Sequence, residues 1–189
     1  MARDRAPQRG QSIVEFTLVL PVMLMLLLGI VDVARIYTTM LSVESAAREA
    51  ADYGTTLGAG RWASPTPADQ TIAEMQRRAC VAASNLTDYH DPDNDLTTGN
   101  CTNPAFTFCV ISSAGGPCGA LDPSAGCDNP LNDPPCVVKV TLSYDFKLLA
   151  PLNFEFMGVR YGFPSTLSFA RDSSFAMTDI DLSPAAPGP

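Results

Sequence analysis

An uncharged and strongly apolar run, from Phe16 to Val31, dominates the beginning of the chain. Its sequence is FTLVLPVMLMLLLGIV. Sixteen residues of helix reach about 24 Å, and extending the helix back to Gln11 gives about 32 Å. Because a bilayer hydrocarbon core is about 30 Å thick, this length is enough to cross it once. The run therefore predicts a transmembrane helix.

The charges on either side of this run predict its orientation. Arg3, Arg5 and Arg9 precede it, with Asp4 as the only acid. Past residue 10 the chain has nine basic and nineteen acidic residues, a net charge of −10. By the positive-inside rule, residues 1–10 stay in the cytoplasm and the acidic remainder is exported. We therefore expect a single-pass, N-in membrane protein that does not bind nucleic acid, since phosphate binding requires clustered Lys and Arg.

An ordinary cleavable secretion signal is the main alternative for this segment. Such a signal needs small residues at a cleavage site shortly after the apolar stretch. Here Val31 and Val33 make a poor site, and Glu15 places an acid at the start of the apolar run. Both features favour a segment that stays attached to the exported part.

The residues around Gly10 carry the most specific signal in the chain. Gly10, four residues, Glu15, Phe16 and an apolar helix together resemble a class III type IV prepilin signal. The resemblance implies that a prepilin peptidase cuts between Gly10 and Gln11. A carboxylate at full depth in a bilayer costs up to about 2.5–3.5 kcal/mol. Glu15 would then be compensated by the new α-amino group on Gln11 of a neighbouring subunit.

The first segment as a whole is similar to the TadE-like family, pilin-like proteins of the Tad (Flp pilus) machinery. The close resemblance covers about 45 residues. Its matching features are Gly10, Glu15-Phe16, Leu20-Pro21, Gly29, Asp32, Arg35 and the alanine-rich stretch Ala46 to Ala51.

This resemblance implies a non-enzymatic, pilin-like structural component of pilus assembly, a minor pilin or pseudopilin. It would lie in the bacterial cytoplasmic (inner) membrane with an extracytoplasmic head, with incorporation into an extracellular pilus as a further expectation. Its implied partners are the membrane, the prepilin peptidase, other pilin-like subunits and the pilus assembly platform. Two alternatives stay open: an uncleaved single-pass assembly factor, and a membrane-anchored adhesive or ligand-binding module that uses residues 101–136 as its contact surface.

Pro21 lies inside the predicted membrane helix. It removes the backbone hydrogen bond to the carbonyl of Thr17, which the Thr17 hydroxyl or a neighbouring helix could compensate. A kink that lets the helix melt locally during assembly is one interpretation. A tolerated membrane proline without a role is the interpretation we favour.

Beyond the membrane the helix is predicted to continue to about Gly54, which gives a segment of residues 11–54. An apolar stripe at steps of three and four residues indicates that this part packs on a globular head. Asp32 is expected to lie off the stripe. The stripe consists of Val33, Ile36, Met40, Val43, Ala47 and Ala50.

Residues 55–182 predict a small head, so that the whole chain has a pilin-like α+β fold. Residues 64–67 predict a turn and residues 69–85 a short helix. Strands are predicted at 105–111, 138–148, 153–161 and 166–177, the second with clear inward and outward alternation. The final residues, 183–189, predict a disordered tail.

All six cysteines lie in the predicted exported part, where an oxidising compartment favours disulfides. Six cysteines allow 15 pairings, which the sequence leaves open. A zinc site is disfavoured because no C-x-x-C pair is present. The disulfide candidates, most of them in the loop-rich region 101–136, are Cys80, Cys101, Cys109, Cys118, Cys127 and Cys136.

No residue set predicts a cofactor, a metal or a catalytic site. Asp91, Asp93 and Asp95 have the spacing that opens a calcium loop, but Leu96 and Thr102 stand where an EF-hand needs Gly and Glu. We therefore interpret this segment as a solvated acidic turn.

Overall fold

The computed structural model describes residues 11–56, 62, 65–111, 135–149, 153–156, 158–162 and 164–177. It has two helices, α1 (Gln11–Thr56) and α2 (Pro65–Ala83). Its five strands are β1 (Ala105–Ile111), β2 (Val137–Lys147), β3 (Asn153–Phe156), β4 (Val159–Gly162) and β5 (Thr166–Ala176). The predicted α+β class is confirmed. The predicted tail, 183–189, lies outside the described residues.

The chain divides into two compact units. The first contains residues 11–38 of α1 and residues 147–165, which include β3 and β4. The second contains residues 39–146 together with β5.

α1 is one uninterrupted helix of 46 residues, about 69 Å long. Its predicted end at Gly54 is wrong by two residues. A Cβ added at Gly54 would lie 2.8 Å from Met75 Sδ and 3.2 Å from Val138 Cγ1. Gly54 therefore lies in close contact with Met75 and Val138 inside the helix, and it does not terminate the helix.

α2 begins earlier than predicted, at Pro65, where a turn was expected. Proline is well suited to the first turn of a helix, because its missing N–H has no intrahelical partner there and its φ is already helical. The residues that α2 buries recur at helical spacing, so the helix presents one face to the core. They are Ala68, Thr71, Met75, Ala79 and Ala83, with Cys80 beside them.

The head contains a three-stranded antiparallel sheet in the order β1-β2-β5. β1 has the predicted bounds, and β2 and β5 differ from the prediction by one residue at their ends. In the register of β1 and β2, Phe106 lies opposite Leu142 and Phe108 opposite Val140.

The core of the second unit forms where the inner face of β2 meets the helices. Complete burial of each large apolar side chain contributes about 1.5–3 kcal/mol, and β2 buries five such side chains. The buried β2 residues are Val138, Val140, Leu142, Tyr144 and Phe146, each at most 1% exposed. The helix α1 supplies Val43, Ala46, Ala47, Ala50 and Ala51.

Asn103 extends the β1–β2 pairing with its side chain. Its Oδ1 accepts from the backbone N–H of Asp145 at 2.9 Å, and its Nδ2 donates to the carbonyls of Asp145 and Asp88, at 2.9 and 2.6 Å. The amide group thus replaces one residue of backbone pairing beyond the end of β1.

Strand structure was predicted around residues 153–161, and the structure divides this stretch between β3 and β4. The structure has a two-stranded antiparallel hairpin there, with Phe154 opposite Tyr161 and Phe156 opposite Val159. Gly158 in the connection has φ = 76°, a conformation that glycine adopts without a Cβ penalty. The glycine therefore permits the reversal that divides the apolar stretch into two strands.

Candidate membrane and assembly segment

The N-terminal part of α1 presents an apolar surface on all sides. Every described side chain from Ser12 to Val31 is exposed, including Phe16 at 66% and Ile30 at 65%. The helix is long and apolar enough to cross a membrane. A continuous apolar surface of this size is typical of contact with lipid or with partner helices. It supports the predicted association with the membrane.

The residues predicted for processing lie at the start of this helix. Glu15 and Phe16 are exposed on its first turns, and Gln11 is the first residue of α1. Gly10 lies outside the described residues. Cleavage after Gly10 and the pairing of Glu15 therefore stay predictions.

The helix continues through Pro21, with helical residues on both sides. The Thr17 hydroxyl donates to the carbonyl of Ile13 at 2.8 Å. That hydrogen bond directs the hydroxyl one turn back along the helix, away from the carbonyl of Thr17 that Pro21 leaves without its usual donor. The suggested compensation by the Thr17 hydroxyl is therefore wrong.

A polar contact marks the point where the apolar run ends. Asp32 is only 6% exposed, and its Oδ1 accepts from the backbone N–H of Leu149 at 3.2 Å and lies 3.3 Å from Arg35 Nη1. Asp32 was expected off the buried stripe and Val33 on it, whereas Asp32 is buried and Val33 is 66% exposed. Asp32 thus joins α1 to residues 147–165 within the first unit.

One signal in the sequence could have indicated this role for Asp32. It is the first charge after the apolar run, and Arg35 follows it by three residues, so the two share a helix face. An acid paired with a base on its own helix can be buried at a lower cost than an isolated acid.

In the second unit, α1 and α2 are joined by a charged cluster. Arg77 forms two hydrogen bonds with Glu74, each 2.6 Å, and these lower the pKa of Glu74 from 4.5 to about 2, opposed in part by burial. Arg78 contacts Glu74 at 3.0 Å and Glu49 on α1 at 3.2 Å, and it lies 4.3 Å from the centre of the Tyr53 ring. The Arg78–Glu49 contact joins α2 to α1. Because the two arginines are balanced by two glutamates, the cluster offers little net charge to a ligand.

The acidic turn is held by short-range hydrogen bonds. Asp91 Oδ1 accepts from the N–H of Asp93, and Asp95 Oδ1 accepts from both the N–H and the hydroxyl of Thr97, which lowers the pKa of Asp95. Asp93 and Asp95 are exposed, but Asp91 is 8% exposed, so the interpretation as a fully solvated turn is wrong for Asp91. Among the described residues, no three acids, histidines or cysteines are arranged to hold a metal ion.

The head is crosslinked by disulfides. Cys80 on α2 is bonded to Cys101 in the loop before β1. Cys109 and Cys136 are also disulfide-bonded. Cys118 and Cys127 lie outside the described residues, as does most of the loop-rich region proposed as a contact surface.

A comparison with known protein families identifies the first segment. Residues 10–52 match the family model described as TadE-like protein. The chain has a TadE-like N-terminal segment. No curated protein and no solved structure gives a significant match. The TadE-like match extends over 43 of the 189 residues. It covers Glu15, Pro21, Asp32 and the alanine-rich part of α1, so it includes the membrane segment and the start of the packed helix.

Proposed function

We propose that this chain is a minor pilin or pseudopilin, a structural subunit of Tad/Flp-type pilus assembly, and that it does not catalyse a reaction. The observation that carries the proposal is the TadE-like match, which begins at Gly10 and extends along α1, whose residues 12–31 form an exposed, mostly apolar stretch. The TadE-like family is a family of structural pilus components. The acidic, disulfide-linked head then faces outward from the inner membrane.

Processing by a prepilin peptidase prepares the subunit for assembly. Cleavage after Gly10 removes the basic arm and leaves an α-amino group on Gln11. Gln11 and Glu15 are four residues apart, a rise of about 6 Å along the helix. Two parallel subunits offset by about 6 Å along their axes therefore bring the amino group of one level with the Glu15 carboxylate of the next.

The pairing of these charges gives assembly its specificity. Lipid tails are as apolar as leucine, so moving the helix from lipid to a bundle of helices yields little hydrophobic free energy. A carboxylate at full depth in a bilayer costs up to about 2.5–3.5 kcal/mol. A neighbouring amino group removes much of this cost, and the gain is largest for the correct offset.

Processing is tested by intact mass and N-terminal sequencing of the protein from its native membrane. We expect a chain that starts at Gln11. Gly10→Val should block cleavage, because a branched side chain obstructs access to the scissile bond. Gly29→Val is the matched control, since an added Cβ there meets nothing within 4 Å and cleavage should be normal. A native chain that starts at Met1 contradicts the proposal and favours an uncleaved assembly factor.

Assembly is tested with Glu15→Gln, which removes the charge and preserves the shape. The variant should be cleaved normally but reduced at least tenfold in sheared surface fibres. Glu44→Gln is the control, because Glu44 lies on the same helix and pairs with Arg48 of its own chain. Equal amounts of the Glu15→Gln variant and the wild type in fibres would contradict the charge pairing. A cleaved wild-type chain that is absent from fibres would indicate a subunit that remains in the membrane.

A further inference from the structure

The uncharged part of the membrane segment is short for a bilayer. A helix from Phe16 to Val31 reaches about 24 Å, whereas the hydrocarbon core of a bilayer is about 30 Å thick. About 6 Å of further apolar surface, or four residues of helix, must therefore come from beyond one or both ends of this run. At the outer end, the structure shows which residues supply it.

The exposed apolar surface of α1 continues past Asp32 on one side of the helix. Ile30, Val33 and Tyr37 are 65%, 66% and 63% exposed. Because they are three and four residues apart, they are neighbours on one face of the helix. Asp32 follows Ile30 by two residues, a rotation of about 200°, and is only 6% exposed. The first charge of the exported part therefore lies on the other side of the helix, away from this apolar face.

The charge of Asp32 is compensated inside the first unit. Its Oδ1 accepts from the N–H of Leu149 at 3.2 Å and lies 3.3 Å from Arg35 Nη1. An acid that has both a base and an N–H donor can be placed below a membrane surface at a lower cost than an isolated acid. Asp32 therefore does not by itself set the outer limit of lipid contact.

Residues 147–149 bring further groups to the level of Asp32 within the same unit. Since its N–H binds Asp32, Leu149 lies beside α1 at this point, and it is 60% exposed. Lys147 is also exposed, and its charge is at the end of an apolar stem that can extend from an apolar surface to lipid phosphates. This arrangement suits the boundary between acyl chains and headgroups better than it suits bulk water.

From these observations we propose that lipid covers the exposed face of α1 as far as Tyr37 and that Leu149 contacts the same lipid. Phe16 and Tyr37 are separated by a rise of about 32 Å, which matches the hydrocarbon thickness. Tyr37 then lies at the outer headgroup boundary, where aromatic side chains are enriched. Asp32 lies about 8 Å below it, on the protein side of the helix. The proposal rests on membrane association alone and is independent of cleavage after Gly10 and of the pairing of Glu15.

The test uses the full-length chain in nanodiscs, one copy in each, with single tryptophans introduced at exposed positions. Tyr37→Trp and Leu149→Trp report on the proposed surface. Ser45→Trp is the matched control, because Ser45 is exposed on the same helix, about 12 Å beyond Tyr37. Leu24→Trp, in the middle of the apolar run and 51% exposed, reports on membrane insertion itself. The wild type, whose one tryptophan is Trp62, gives the background.

Lipids brominated near the headgroup should quench the tryptophans at positions 37 and 149 at least twofold more than the tryptophan at position 45. Acrylamide should show the opposite preference. Lipids brominated near the bilayer centre should quench position 24 most strongly. If Leu149→Trp does not fold, Val33→Trp on the exposed face of α1 gives the same readout.

Three outcomes would overturn the proposal. Quenching at position 24, with positions 37 and 149 quenched no more than position 45, would place the outer boundary at Val31 and leave membrane insertion intact. Absence of quenching at position 24 would contradict membrane insertion as well. Protection of positions 37 and 149 from acrylamide without quenching by brominated lipid would mean that protein, and not lipid, covers this face.

Discussion

Removal of the Cys80–Cys101 disulfide should destabilise the head by about 3–4 kcal/mol. The two cysteines are 21 residues apart in sequence, so the bond closes a ring of about 22 residues in the unfolded chain. Loop-closure entropy for a ring of that size is about −11 cal/mol/K, or about 3.4 kcal/mol at 25 °C. Cys80 is completely buried and Cys101 is 6% exposed, so the loss of two packed sulfur atoms adds to this cost.

The variant is Cys80→Ala/Cys101→Ala, because alanine leaves no unpaired thiol and no buried hydroxyl. The assay is urea unfolding of the full-length protein in detergent, followed by the fluorescence of Trp62. This tryptophan reports on the head, since it is 3% exposed and its Nε1 donates to the carbonyl of Gly54 at 2.9 Å. The urea dependence of the unfolding free energy should also increase slightly, because the denatured chain becomes more extended.

The wild-type protein, with all its disulfides, is the reference. A loss below about 1 kcal/mol would refute the entropic reasoning, because it would mean that residues 80–101 stay close together in the denatured chain without the bond. A loss far above about 5 kcal/mol would also refute it. In that case the bond would be required for the native packing of α2 and would not act mainly on the unfolded chain.

Three further predictions concern single residues of the head and use the same unfolding assay. Asn103→Asp should lower the free energy of unfolding by about 2–3 kcal/mol at pH 7, because two N–H donors are lost and a carboxylate faces two carbonyl oxygens. This loss should decrease below pH 4, and an equal loss at both pH values would contradict this account. Gly99→Ala should cost about 2–3 kcal/mol, since Gly99 has φ = 70° and its added Cβ would lie 2.8 Å from backbone atoms of Arg77. Gly158→Ala carries the φ cost without a clash, so an equal loss in both glycine variants would refute the packing argument. Because the pKa of Glu74 is lowered to about 2, the stabilisation that the Glu74 carboxylate gives the folded head is present above pH 4.5 and is lost as the pH falls towards 2. Over that range the free energy of unfolding should decrease by about 1 kcal/mol more in the wild type than in Glu74→Gln. Parallel pH profiles of the two proteins would contradict the ion pair.

The sequence predicted the elements whose residue pattern repeats regularly along one segment of the chain. The apolar run predicted the exposed first half of α1, because its length and lack of charge are suited to a bilayer independently of how the remainder of the chain folds. The alternation in β2 predicted its buried face to within one residue at each end. These patterns are periodic and local, so they can be recognised without knowing the remainder of the fold.

The errors occurred where a distant part of the chain determines the role of a residue. Gly54 resembles a helix end, but the close approach of Met75 and Val138 explains it. Asp32 was expected to lie off the buried stripe, but it is buried and the N–H of Leu149, 117 residues away, binds it. Nothing local distinguishes these residues from an ordinary terminator or an ordinary surface acid.

The sequence by itself determined the long apolar helix, the difference in charge between the residues before and after it, the TadE-like segment and the main strands. Only the tertiary structure determined that Asp32 is buried, that Asn103 replaces backbone pairing, that Cys80 bonds to Cys101, and that residues 153–162 reverse at Gly158. The physical reason is one of range. Hydrophobic periodicity and charge bias act within a few residues, whereas a hydrogen bond, a disulfide or a close packing contact depends on which distant groups the folded chain brings together.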